Sequence, residues 1–114
     1  MYDRGQGVKQ DYAEALKWYR LAADQGYAPA QFSLGSMYNE GEGVKQDYTE
    51  AAKWSRLAAD QGDADAQFNL GFIYTKGQGV RQDKKIAKEW FGKACDAGKQ
   101  EGCDAYRKLN ESGY

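Results

Sequence analysis

The chain has 114 residues, with 16 basic and 17 acidic side chains, one proline, two cysteines and no histidine. One domain is expected at this length, and a formal charge of −1 gives no net electrostatic pull toward nucleic acid or anionic lipid. The missing histidine excludes Ser-His and Cys-His nucleophile pairs, zinc sites with histidine ligands and a histidine general base. Hydrophobic residues make up 41% and charged residues 29%, a balance that folds. No apolar run approaches the roughly 18 residues of a membrane helix. Met1 leads straight into Tyr2-Asp3-Arg4-Gly5, without the charged and apolar regions of a signal peptide.

A fixed period organises the chain. Gly5-Gln6-Gly7-Val8 recurs as Gly41-Glu42-Gly43-Val44 and as Gly77-Gln78-Gly79-Val80, 36 residues apart each time. Residues 5–40 and 41–76 are identical at 25 of 36 positions. The last block diverges further, as a terminal cap does. The expected organisation is one solenoid domain: a partial first repeat 1–4, repeats 5–40 and 41–76, and a degenerate capping repeat 77–114.

In chain order, Ala15, Trp18, Tyr19 and Ala22 fall at i, i+3, i+4, i+7, the stripe of an amphipathic helix. Asp11 is placed to cap it, with Glu14 three residues on in a capping-box-like spacing. Gly26 suits the left-handed position after its end. A second helix follows, with Pro29 in its first turn and Gln31, Leu34, Gly35 and Tyr38 on one face. Gly35 costs about 1 kcal/mol against alanine inside a helix. Its return as Gly71 points to close approach by a neighbouring helix. Trp18, Trp54 and Trp90 repeat in register and are expected in the core. Asp47 and Asp83 are expected as caps like Asp11. The Gly-x-Gly element reads as a helix-ending turn rather than a phosphate loop. No strand precedes it, and Gln10, Gln46 and Gln82 replace the third glycine of a G-x-G-x-x-G loop.

One pattern stands in full as Ala30, Leu34, Gly35, Tyr38, Gly41, Gly43, Val44, Asp47, Ala51, Trp54, Ala58, Ala59 and Gly62. It resembles the Sel-one-like repeat (SLR) family. That resemblance implies an all-α fold: an α/α right-handed superhelical solenoid of 36-residue helix-turn-helix repeats, a cousin of the tetratricopeptide repeat. It further implies a concave surface lined by the first helix of each repeat, and an adaptor role in protein complexes.

The closing segment around Cys95 and Cys103 is similar to that of the Helicobacter cysteine-rich proteins, secreted or periplasmic SLR proteins whose paired cysteines lie eight apart. The resemblance implies a Cys95–Cys103 disulfide across the turn between two helices, against the alternative of two buried thiols. Only the last unit is stapled on this reading, because Ala59 and Gln67 stand at the matching positions of the previous one. A persistent disulfide implies an oxidising compartment, here a bacterial cell envelope, periplasmic or secreted. Reduced thiols would instead fit the cytoplasm.

The frame sets Met1 on Met37 and Tyr2 on Tyr38, so the chain opens at the tail of a helix. That frame gives two expectations: a fragment of a longer protein with further repeats upstream, with or without a leader, or a start site that leaves an open end. An open end exposes apolar surface and invites self-association.

First-helix positions off the Leu-Gly-Tyr stripe are the candidates for partner binding on the concave face. They are Phe32, Ser33, Ser36 and Asn39, then Phe68, Asn69, Phe72 and Thr75. Phe32 and Phe68 also suit inter-repeat core. Phe72 is the sharper candidate, since Ser36 is its equivalent and a packed core does not exchange phenylalanine for serine without repacking. The expected function is a non-enzymatic module that binds a protein or peptide partner. It needs no metal or cofactor, binds no nucleic acid and does not insert into membranes. The cysteine-rich relatives imply an alternative, an envelope enzyme with penicillin-binding or β-lactamase-like activity. No catalytic residue is assigned, since S-x-x-K, K-T-G and S-D-N are all absent. A purely structural spacer is the third reading.

Overall fold

The computed structural model describes residues 11–114. The first Gly-x-Gly-Val turn at residues 5–8, and the frame and open end inferred from Met1 and Tyr2, lie outside the described residues. Six helices follow one another: α1 Tyr12–Asp24, α2 Ala28–Glu40, α3 Tyr48–Asp60, α4 Ala64–Lys76, α5 Lys84–Asp96 and α6 Gln100–Glu111. No strand is present among the described residues. Each helix packs on the next in sequence, giving a body of 49 × 29 × 26 Å. This is the quasi-one-dimensional geometry of an all-α repeat solenoid.

Local chemistry sets the boundaries. The carboxylates of Asp11, Asp47 and Asp83 accept backbone N–H bonds in the first turns of α1, α3 and α5. They satisfy donors that the helix itself leaves unpaired. Glu14 does not reach back to complete a capping box. Its carboxylate accepts from Trp18 Nε1 at 2.8 Å, and Glu50 accepts from Trp54 Nε1 at 3.2 Å. Three-residue turns join α1 to α2, α3 to α4 and α5 to α6, while seven residues join α2 to α3 and α4 to α5.

The Gly-x-Gly element belongs to those longer connections. Gly41 and Gly77 end α2 and α4 in the left-handed conformation. Gly43 and Gly79 also have positive φ, and a Cβ there would collide with Tyr12 and with the Tyr48 backbone. The second glycine therefore lets the turn after α2 lie against the start of α1, and the turn after α4 against the start of α3. The element is packed structure rather than an anion cradle.

The tryptophans show how units stack. Trp54 packs with Ala23, Ala30 and Leu34 of the helix pair in front of it. Trp90 does the same with Ala58, Ala59, Ala66 and Leu70. Both are 7% exposed. Trp18 corrects the expectation of a shared core role, because it is 59% exposed. No helix pair stands in front of it among the described residues. Gly35 and Gly71 are buried where the next helix comes close: a Cβ would meet Ser55 Oγ at 2.9 Å in the first case and the Phe91 ring in the second.

A clasp closes each short turn. Gln31 Nε2 donates to the Ala23 carbonyl at 3.1 Å, and Gln67 Nε2 donates to the Ala59 carbonyl at 3.2 Å. At the same register in the last unit stands the Cys95–Cys103 disulfide, with a Cα–Cα distance of 4.6 Å. A covalent bond thus replaces a hydrogen bond at one position of the repeat.

Candidate functional site

The predicted binding residues fall into two groups along α2 and α4. Phe32 is half-buried against the α3–α4 core. Ser33 and Ser36 are half-buried and line a cleft of ≈ 620 Å³ with Phe32, Trp18 and Tyr19. Asn39 stands at the end of α2, where its carbonyl accepts from Gln46 Nε2 at 2.8 Å.

On α4 the rings gather. Phe68 and Phe72 meet edge to face with centroids 4.9 Å apart, and both contact Phe91 of α5 at 5.5 and 5.6 Å. Phe72 is 44% exposed while Phe91 is buried, so the cluster rests on the core and presents one ring to solvent. Edge-to-face geometry sets the positive rim of one ring against the negative face of another. Lys99 Nζ lies 5.4 Å from the Phe68 centroid and 3.0 Å from the Asp65 carboxylate. The hydrogen bond with Asp65 raises the lysine above its ordinary pKa. Asn69 and Thr75 are engaged internally: Asn69 Nδ2 donates to Ser55 Oγ at 3.1 Å, and Thr75 Oγ1 donates to the Gly71 carbonyl at 2.7 Å.

Sequence reasoning missed Trp18 and Tyr19 as cleft walls, and Phe91 as the third ring. A signal existed for two of them. Tyr19, Ser55 and Phe91 occupy one register position, and their divergence is as sharp as that between Ser36 and Phe72. Among the described residues, no group of cysteine, aspartate and glutamate side chains is arranged to hold a metal ion. The arrangement offers aromatic faces, hydroxyls and scattered charges, which suit non-covalent recognition.

Helix pairs in tandem, clasped at short turns and joined by Gly-x-Gly connections, define an α/α repeat solenoid. The Sel1 repeat model matches residues 1–27, 28–63 and 64–99, and the chain belongs to the Sel1 repeat family. The matched units begin at the short turn, so α2 with α3 and α4 with α5 each form one repeat, and α6 follows the last match. A protective antigen of uropathogenic Escherichia coli with an SLR fold is similar at 48% identity and a TM-score of 0.82, over 87% of this chain and 21% of that one. A Sel1 repeat protein from Oxalobacter formigenes is similar at 46% identity and a TM-score of 0.81, over 90% of this chain and 42% of that one. Cysteine rich protein B of Helicobacter pylori is similar at 27% identity and a TM-score of 0.80, over 83% of this chain and 71% of that one. The chain spans about a fifth and about two-fifths of the first two relatives. Among curated proteins none matches significantly. Sel1 repeat proteins are in general protein-interaction modules. No described helix is long and apolar enough to cross a membrane.

Proposed function

We propose that this chain is a non-enzymatic adaptor that holds a segment of a protein partner along the concave face formed by α2 and α4. Phe72 carries the reading. It is a large ring left 44% exposed, in register with a serine, and it is braced by Phe68 and Phe91. Braced aromatics at the centre of an interface supply contact area at little entropic cost. Phe32, Ser33 and Ser36 extend that face across α2, while Asn39, Asn69 and Thr75 give it polar groups. An oxidising compartment is the proposed setting. The Cys95–Cys103 disulfide and the similarity to cysteine rich protein B support it.

The test is site-specific photo-crosslinking. A crosslinking residue at Phe72 should trap a defined partner from the native envelope fraction. The same residue at Leu57, exposed on α3, should not. Equal trapping at both positions overturns the placement on the concave face. No grouping of side chains among the described residues favours the hydrolase reading.

A further inference from the structure

The α1–α2 cleft is lined by residues that differ from their counterparts on α3 and α4, although the two units align residue for residue. The difference lies in five register positions. Ser33 and Ser36 give way to Asn69 and Phe72, Tyr19 gives way to Ser55, Met37 gives way to Ile73, and Glu42 gives way to Gln78. In the second unit Asn69 spans to Ser55 and Phe72 leans on Phe68. In the first unit two short hydroxyl side chains leave space between Trp18, Tyr19 and Phe32.

Among the described residues, the charge lining this space has one sign. Asp11, Glu14 and Glu42 line it, with no basic side chain among its described lining. Asp11 and Glu14 sit at the positive end of the α1 dipole, which offsets part of their charge. Asp11 accepts from the Glu14 backbone and Glu14 from Trp18. Glu42 has no such compensation. It follows the C-terminus of α2, the negative end of that helix, and its carboxylate has no ion-pair partner among the described residues. Aromatic walls beside an uncompensated carboxylate complement a cation that also carries flat apolar surface.

We propose that the α1–α2 cleft receives an arginine side chain of the partner segment, with the guanidinium stacked on the aromatic walls and paired with Glu42. Arginine fits better than lysine because its planar, weakly hydrated head stacks and pairs at once. The inference rests on the adaptor reading and names the chemistry of the partner at one end of the same face.

The probe is a fluorescein-labelled hexapeptide alternating leucine and arginine, and the control carries glutamate in place of arginine. The basic peptide should bind and the acidic one should not, as read by fluorescence anisotropy. Ser36→Phe and Glu42→Gln each install the residue that the chain itself carries one repeat later, so the scaffold tolerates both. Ser36→Phe should fill the cleft and weaken binding about tenfold or more. Glu42→Gln should weaken it about three- to fivefold, as expected for one exposed charge pair. Leu57→Ala, on the exposed surface of α3, should leave binding of this short probe unchanged. The proposal is overturned if the acidic peptide binds equally, if neither peptide binds, or if both cleft variants bind the basic peptide as the parent does. In each of those cases Phe72-dependent crosslinking of a protein partner keeps the adaptor reading standing, and its absence removes that reading separately.

Discussion

Trp18 and Trp54 hold the same register position on α1 and α3, and both donate to a glutamate one turn earlier. Their surroundings differ completely. Trp54 is enclosed by the helix pair in front of it, while Trp18 is 59% exposed beside Tyr19 and Leu21. Burial in a solenoid thus belongs to the neighbouring unit rather than to the residue. The other end is built differently. Arg107 of α6 stands in register with Gly35 and Gly71, at the point where those glycines admit a following helix. It is exposed and pairs with Asp104 at 3.5 Å. One end of the described body exposes Trp18 and Tyr19 where a unit would pack, and the other sets a charged pair at the matching glycine position.

The largest effects should separate the two tryptophans. Trp54→Ala removes a buried ring and should cost about 3–5 kcal/mol. Trp18→Ala should cost less than about 1 kcal/mol, as for an exposed residue. Urea unfolding of both variants measures the gap. Equal losses would mean that Trp18 is covered in solution, and concentration-dependent sedimentation would then show whether a second copy covers it.

The clasps give the next comparison. Two units close the short turn with a glutamine-to-carbonyl hydrogen bond and the last with a disulfide. Reducing Cys95–Cys103 should destabilise the fold by about 2–3 kcal/mol, the entropy of so short a loop. A Cys95→Ala, Cys103→Gln double variant restores the pairing of the earlier units. It should recover about 1 kcal/mol relative to Cys95→Ala, Cys103→Ala. No difference between these two variants would show that the hydrogen-bonded clasp adds nothing to stability.

The buried glycines come third. In Gly71→Ala the new methyl meets the Phe91 ring, which Phe68 and Phe72 hold in place. The variant should lose about 1–3 kcal/mol despite the better helix propensity of alanine. Gly35→Ala faces Ser55 Oγ instead, a smaller group, and should lose less. Reversal of that order in thermal unfolding would contradict the bracing of the ring cluster.

The period, the aspartate caps, the six helices and the helix-ending first glycine of Gly-x-Gly were legible because each depends on residues within one unit, whereas the packing of Gly43 on Tyr12 and of Gly79 on Tyr48 crosses between units. Gly35 was legible as a close approach because it repeats as Gly71. Trp18 was misplaced because identity in register carries no information about what packs in front. The cleft was illegible for a related reason. Ser33 and Ser36 stand out as candidates, but the space they leave depends on Tyr19, which lies on another helix and follows a different rhythm of substitution. Phe91 was missed because it lies on α5, outside the helices that the family resemblance assigns to the concave face. The disulfide followed from resemblance, and its physical meaning emerges only beside Gln31 and Gln67.

The smallest expected effect tests the repeat logic most directly. Gln61 Nε2 donates to the Gly26 carbonyl and to Gln31 Oε1, both at 2.9 Å, and so ties the end of α3 to the turn in front. One repeat later Ala97 stands in place of Gln61. The consequence is visible at Gln67, whose Oε1 is buried without a partner while its Nε2 keeps the bond to Ala59. An unsatisfied buried acceptor costs stability. Residues 61 and 97 end their helices with nearly the same backbone, φ −88 and ψ 0 against φ −86 and ψ 5. A glutamine at 97 therefore starts from the geometry that serves at 61. Ala97→Gln should raise stability by about 0.5–1.5 kcal/mol. The same substitution in a Gln67→Leu background, where there is no acceptor to satisfy, should gain nothing. An equal gain in both backgrounds would trace the benefit to the helix end and sever it from the orphaned carbonyl.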